Sequence, residues 1–215
     1  MHPPAVEVND LAAGFANQTI FDGLSLQVQP GEKIAITGPS GCGKSTLLQC
    51  ILGFLEPLGG SISIFGNRLS NESVWKLRQS LAYVSQEPDL GDGSVREFLE
   101  QPFTYKANRS MKSNLSKAPE FLERLGFDDC MDRSVGTLSG GEKQRIALIA
   151  ALLLDRPILL LDEPSSALDE SSRDRVMELL GSKHNLTILS VSHDREWTQM
   201  ADRTFSMQPA TGATI

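Results

Sequence analysis

Eight consecutive residues, Gly38-Pro39-Ser40-Gly41-Cys42-Gly43-Lys44-Ser45, fit the spacing G-x-x-x-x-G-K-[ST]. The apolar run KIAIT leads into them, and KSTLLQCILGF, with helical spacing, leads out. Glycine lets a backbone wrap closely round a ligand, so that successive N–H groups converge on phosphate oxygens. Lys44 adds a point charge for the outer phosphates, and the Ser45 hydroxyl suits Mg²⁺, a cation that prefers oxygen ligands. Thr46 completes the candidate nucleotide-binding set, and Cys42 falls at a freely variable position of the loop.

Two carboxylates follow later. PILLLDEP is an apolar run ending in Asp162 and Glu163. A buried parallel strand delivers such acids at its C-terminal end, where open α/β sheets bind their ligands. Asp162 is the candidate for Mg²⁺, directly or through water, and Glu163 the candidate for polarising an attacking water. Phosphate cradle, magnesium oxygens and base together spell hydrolysis of a nucleoside triphosphate. A second anion cradle complicates this. In LSGGEKQR, Ser139, Gly140, Gly141 and Glu142 open another apolar helical run, as a helix N-terminus built for an anion does. One nucleotide has no need of two cradles.

The elements that must position these residues alternate. VEVNDLAAGF and FDGLSLQVQP read as strands around a polar turn, with Pro30-Gly31 closing the second. SISIFG and LAYVSQ are further strands. From about residue 87 to 137 the pattern turns helical, with VREFLEQPF and APEFLERLG flanking YKANRSMKSNLSK, a basic stretch read as a solvated loop. Strands PILLLDEP, NLTILSVSH and RTFSMQP then alternate with helices. Such alternation predicts an α/β fold with a mostly parallel core sheet.

Composition excludes several classes. The chain has 215 residues, 40% of them hydrophobic, and a net charge of −7. That is an ordinary globular composition, and the acidic balance argues against a nucleic-acid partner. Cys42, Cys50 and Cys130 show no metal-ligand spacing and read as free thiols of a reducing compartment. MHPPAVEVND lacks the basic start and apolar core of a signal peptide. IALIAALLL is far shorter than the ~20 residues that span a bilayer.

These motifs, in this order, resemble the ATP-binding-cassette (ABC) ATPases over nearly the whole chain. Gln86 of YVSQ matches the family's Q-loop, LSGGE its signature, SALD with Asp169 its D-loop, and His193 of VSHD its switch histidine. The resemblance implies a P-loop NTPase fold with an antiparallel β subdomain and an inserted helical subdomain at about 87–137, all one domain over 1–215. It implies ATP and Mg²⁺ as cofactors, with Ser45, Gln86 and Asp162 toward the metal and Glu163, His193 and Gln86 as the catalytic group. It also explains the second cradle. Family members pair head to tail, so the signature of one serves the ATP of the other, and Asp169 works across that interface. Phe15 stands where the family places its adenine-stacking aromatic, with Phe21 the lesser candidate.

A single cassette without a predicted span resembles a subunit docked under a separate polytopic permease, on the cytoplasmic face of the inner membrane. Phe98, Leu99, Phe103 and Tyr105 are candidates for the groove that would receive the permease, or else for the helical subdomain's own core. Within the family, FLERLGFDDCMDRSVGTLSGGEKQRIALI, SALDES and SMQPATG resemble bacterial iron-export ATPase subunits, which implies export of iron or another metal. Two alternatives stay open: an exporter of lipid, lipoprotein or drug, and a soluble ATPase scaffold for iron–sulfur assembly.

Overall fold

Alternating burial builds the first sheet. In the computed structural model, which describes residues 3–15 and 18–208, Val6, Val8, Leu11 and Ala13 are buried while Glu7, Asn9, Asp10 and Ala12 between them are more exposed. They belong to β1 (Val6–Phe15), which pairs antiparallel with β2 (Gln18–Val28) and β4 (Gly59–Ile64); β5 (Asn67–Arg68) completes the order β2-β1-β4-β5.

The second sheet is parallel throughout. Its strands are β3 (Lys33–Thr37), β6 (Leu81–Val84), β7 (Ile158–Asp162), β8 (Thr187–Val191) and β9 (Arg203–Ser206), in the order β6-β7-β8-β3-β9. All five residues of β7 are buried. Ile158 and Leu160 point into a core shared with the antiparallel sheet and α1 (Lys44–Ile51). Leu159 and Leu161 point into the other core, with α5 (Gly140–Leu153) and α6 (Glu170–Gly181). A strand covered on both faces has no polar side to show, so it reads as an unbroken apolar run. α1 stops short of the predicted KSTLLQCILGF because Gly53, at φ +68°, turns the chain out of the helix.

Between β6 and α5 lie α3 (Val95–Glu100), a run of 3₁₀ turns and α4 (Ala118–Arg124), after the short α2 (Val74–Leu77). The solvated loop expected at YKANRSMKSNLSK is instead 3₁₀-helical over Lys106–Lys117. Three residues per turn place Asn108, Met111 and Asn114 in one row. The two asparagine amides donate to the carbonyls of Pro102 and Leu153, and Met111 packs on the core between them. Polarity concealed this anchored row in the sequence. The candidate groove residues divide: Leu99 and Phe103 are buried in the core, Phe98 is half-buried against it, and Tyr105 is exposed. The core assignment therefore holds for Leu99 and Phe103. α7 (Arg195–Met200) closes the chain's helical complement among the described residues. No helix there is long and apolar enough to cross a membrane.

Candidate functional site

The phosphate loop is shaped by what its glycines touch. A Cβ at Gly43, where φ is +96°, would lie 2.5 Å from Ile20 and 2.7 Å from Phe21. Phe21 is thus buried beneath the loop, which removes it as an adenine platform. Phe15 ends β1, and its side chain lies outside the described residues. A Cβ at Gly38 would strike the Met207 carbonyl at 2.5 Å and the Cys42 sulfur at 2.9 Å. Cys42 faces the core, so it offers a ligand only its backbone. Lys44 Nζ donates to the carbonyls of Gly38 and Pro39, both at 3.0 Å, and so lies across the loop.

Parallel packing brings the loop's helix against the end of β7. Ser45 Oγ donates to Asp162 Oδ1 at 3.0 Å, although 117 residues separate them. Asp162 is buried, and desolvation raises its pKa despite the Ser45 hydrogen bond and the nearby Lys44 charge. Tyr83 lies beside it, its own phenol pushed up to about 12 by burial and by the Asp162 charge. An under-compensated carboxylate paired with a hydroxyl is an oxygen donor set that fits a divalent cation, Mg²⁺ in particular. Sequence reasoning missed Tyr83, because only the register of β6 on β7 brings the two strands' ends together.

Glu163 has φ +46°, a left-handed conformation uncommon outside glycine. Its amide donates to the Val191 carbonyl at 2.9 Å, which locks the turn. The carboxylate then meets His193 twice: Nε2 lies 3.0 Å from Oε1, and the His193 amide donates to Oε2 at 3.4 Å. Glu163, His193 and Gln86 line one open cleft of about 600 Å³ with Lys44 and Ser45. Asp194 and Ser165 also line it, and no sequence argument had singled them out.

The second cradle stands apart. Ser139 to Glu142 are not among the residues lining that cleft. They form a capping box: Glu142 N donates to Ser139 Oγ at 3.2 Å, and Ser139 N donates to Glu142 Oε2 at 2.8 Å. Arg133 also donates to Glu142 at 2.9 Å. These bonds, the Ser139 amide first, lower the Glu142 pKa. Gly140 and Ser139 remain exposed, while a Cβ on Gly141 would lie 2.6 Å from the Ala167 carbonyl. The signature helix thus rests directly on the segment leading to Asp169. Asp169 itself caps α6, accepting from Ser172 N at 2.8 Å and from the Ser171 and Ser172 hydroxyls. Gln144 of the same helix donates to the Ser85 carbonyl, one residue before Gln86.

A profile of the ABC transporter family matches residues 21–166, covering both cradles and the acidic pair. The chain belongs to the ABC transporter family. It is an ABC transporter ATPase with the family's ATP-binding domain: a parallel core sheet, an antiparallel β subdomain and a helical region. It is 33% identical over 213 residues to the probable iron export ATP-binding protein FetA of Escherichia coli, covering 97% of this chain and 93% of that one. It is 35% identical to the energy-coupling factor transporter ATP-binding protein EcfA1 of Bacillus subtilis, over 89% of this chain and 70% of that one. With the MesD transport/processing protein of Leuconostoc mesenteroides it shares 36% identity but spans only 27% of that longer protein. Among solved structures, cbiO1 of Clostridium perfringens, part of the cbiONQ transporter complex, superposes with a TM-score of 0.82 at 27% identity, over 96% of this chain and 85% of that one. A dimeric ATP-binding cassette bound to ADP and Pi matches equally well, at 26% identity and 94% coverage of each chain.

Proposed function

We propose that this chain hydrolyses ATP as one half of a head-to-tail pair and drives export of iron, or another metal, through a separate membrane permease. The observation that carries the pairing is the separation of the two cradles. Lys44, Ser45, Gln86, Glu163 and His193 line one cleft, with Asp162 bonded to Ser45, whereas Ser139 and Gly140 are exposed at a helix N-terminus outside its lining. Such a terminus still favours an anion beyond its capping box, and a second copy's γ-phosphate would supply one.

Within the cleft, loop amides and Lys44 would hold the phosphates. Ser45 and Asp162, with Gln86, would hold Mg²⁺, which when bound offsets the charge developing on the transferred group. Glu163 would accept the proton of the attacking water, and His193, fixed against it, would orient that water and the γ-phosphate. Gln86 would sense the partner through the Ser85–Gln144 bond to the signature helix. The groove proposed for the permease is lined by Phe98, Pro102, Leu90, Ala147 and Leu154, about 240 Å³ in volume and adjoining that loop.

The cargo reading is supported by the likeness to FetA over almost the full length of both chains. A tagged pull-down from detergent-solubilised native membranes, read by mass spectrometry, tests the proposal. The expected result is a stoichiometric polytopic partner, with raised cellular iron when the gene is deleted. A cytosolic protein with no such partner, or iron content unchanged by deletion, would overturn it.

A further inference from the structure

We propose that Arg173 is a positioning residue for hydrolysis, a strut that fixes the His193 loop to the D-loop helix. It is the fourth residue of α6, four residues beyond the cap Asp169. Its guanidinium reaches the start of α7. Nη1 lies 3.5 Å from Asp194 Oδ2, and Nη2 pairs with Glu196 and lies 3.6 Å from Asp174. The side chain is only 16% exposed, and its Nε is buried with no hydrogen-bond partner among the described residues. An orphaned buried N–H costs stability.

Asp194 is where the strut gains its leverage. It follows His193 directly, and it caps α7 by accepting from Glu196 N at 2.8 Å and Trp197 N at 3.3 Å. Its own amide donates to Ser192 Oγ at 3.1 Å. Trp197, fully buried, anchors the far side. The Asp194 backbone is thus held at several points, and the Arg173 pair sets where the whole turn lies relative to α6. His193 is exposed, and its polar contacts among the described residues are the two with Glu163. A path through contacts and short backbone links then runs from Gly141 on Ala167, along the chain to Asp169, whose carbonyl accepts from Arg173 N at 2.9 Å, and on to Asp194, His193 and Glu163. The strut links the signature, through the D-loop, to the residues proposed to handle the water. This rests on hydrolysis at the cleft and is independent of the cargo.

The test is kinetic. Arg173→Gln in the full chain should lower kcat for ATP about tenfold while KM stays within about twofold, because phosphate binding is untouched. Arg173→Lys, which keeps the charge, should recover part of the loss. In a His193→Ala background, followed by single turnover with the chain in excess, Arg173→Gln should cost nothing further, since the group it positions is gone. Should Arg173→Gln fold poorly, Asp194→Asn removes the same ion pair at nearly constant shape and should show the same pattern. Equal losses in both backgrounds, a change in KM alone, or no loss at all would overturn the proposal.

Discussion

Asp162 places an acid where burial resists its charge. Its carboxylate has a raised pKa because burial outweighs the help from Ser45 and Lys44. For an acid this means the folded chain holds its proton more tightly than the unfolded chain, so stability falls as pH rises above the ordinary value of 3.8. Asp162→Asn should therefore melt higher than the wild type when nucleotide-free, by about 2–4 °C for each kcal/mol of relief, and the gap should be larger at pH 7 than at pH 4. The same variant should lose the dependence of ATP binding on Mg²⁺. Thermal melts at the two pH values check the sign, and a gap that ignores pH would refute it. The sequence disclosed Asp162 and Ser45 because each sits in a motif of fixed spacing. Tyr83 and Arg173 could not be read there. Each acts on residues that only strand register or helix docking brings near, and an isolated tyrosine or arginine carries no spacing signal.

Elements were legible where burial is one-sided or complete. β1 largely alternates, and β7 is an apolar run up to its terminal acid, short and bounded enough to read as a buried strand. The helical region was harder, because its anchors are polar. Asn108 and Asn114 tie the Lys106–Lys117 segment down through backbone carbonyls, and a hydrophobicity pattern cannot register that. Aromatics in this region likewise look alike in sequence and differ in packing. Phe103, 2% exposed, is core, and Phe103→Ser should destabilise the chain by about 3–5 kcal/mol. Phe98 lines the groove, and Phe98→Ser should leave a folded chain that no longer retains the permease. Denaturant titration beside the pull-down separates the two. If Phe98→Ser retains the permease at wild-type levels, the groove serves something else.

At the scale of the whole molecule, the proposed pairing makes each of the two sites on one chain depend on a second copy. Glu163→Gln should slow hydrolysis by about 10²-fold or more yet bind ATP, so that paired chains accumulate. Size exclusion with ATP should show a dimer for that variant. Adding Ser139→Arg should return it to monomer, because the arginine blocks the terminus offered to the partner's nucleotide while each chain keeps its own phosphate loop. A dimer that survives both changes would rule out head-to-tail pairing. The motif order made this proposal readable, since a second anion cradle in one chain suits a second copy's nucleotide. What the order concealed is how closely the cradles communicate inside a chain: Gly141 lies on Ala167, and Gln144 bonds beside Gln86.

β7 lends Ile158 and Leu160 to one core and Leu159 and Leu161 to the other, then ends in the two acids. A change of volume at Leu159 has to be absorbed beneath the signature helix, and one at Leu160 beneath the phosphate loop. Both displace the same short backbone and therefore the same pair of carboxylates. Neither face can be repacked alone, so variation among functional descendants of this chain has room at the rim and almost none along this strand.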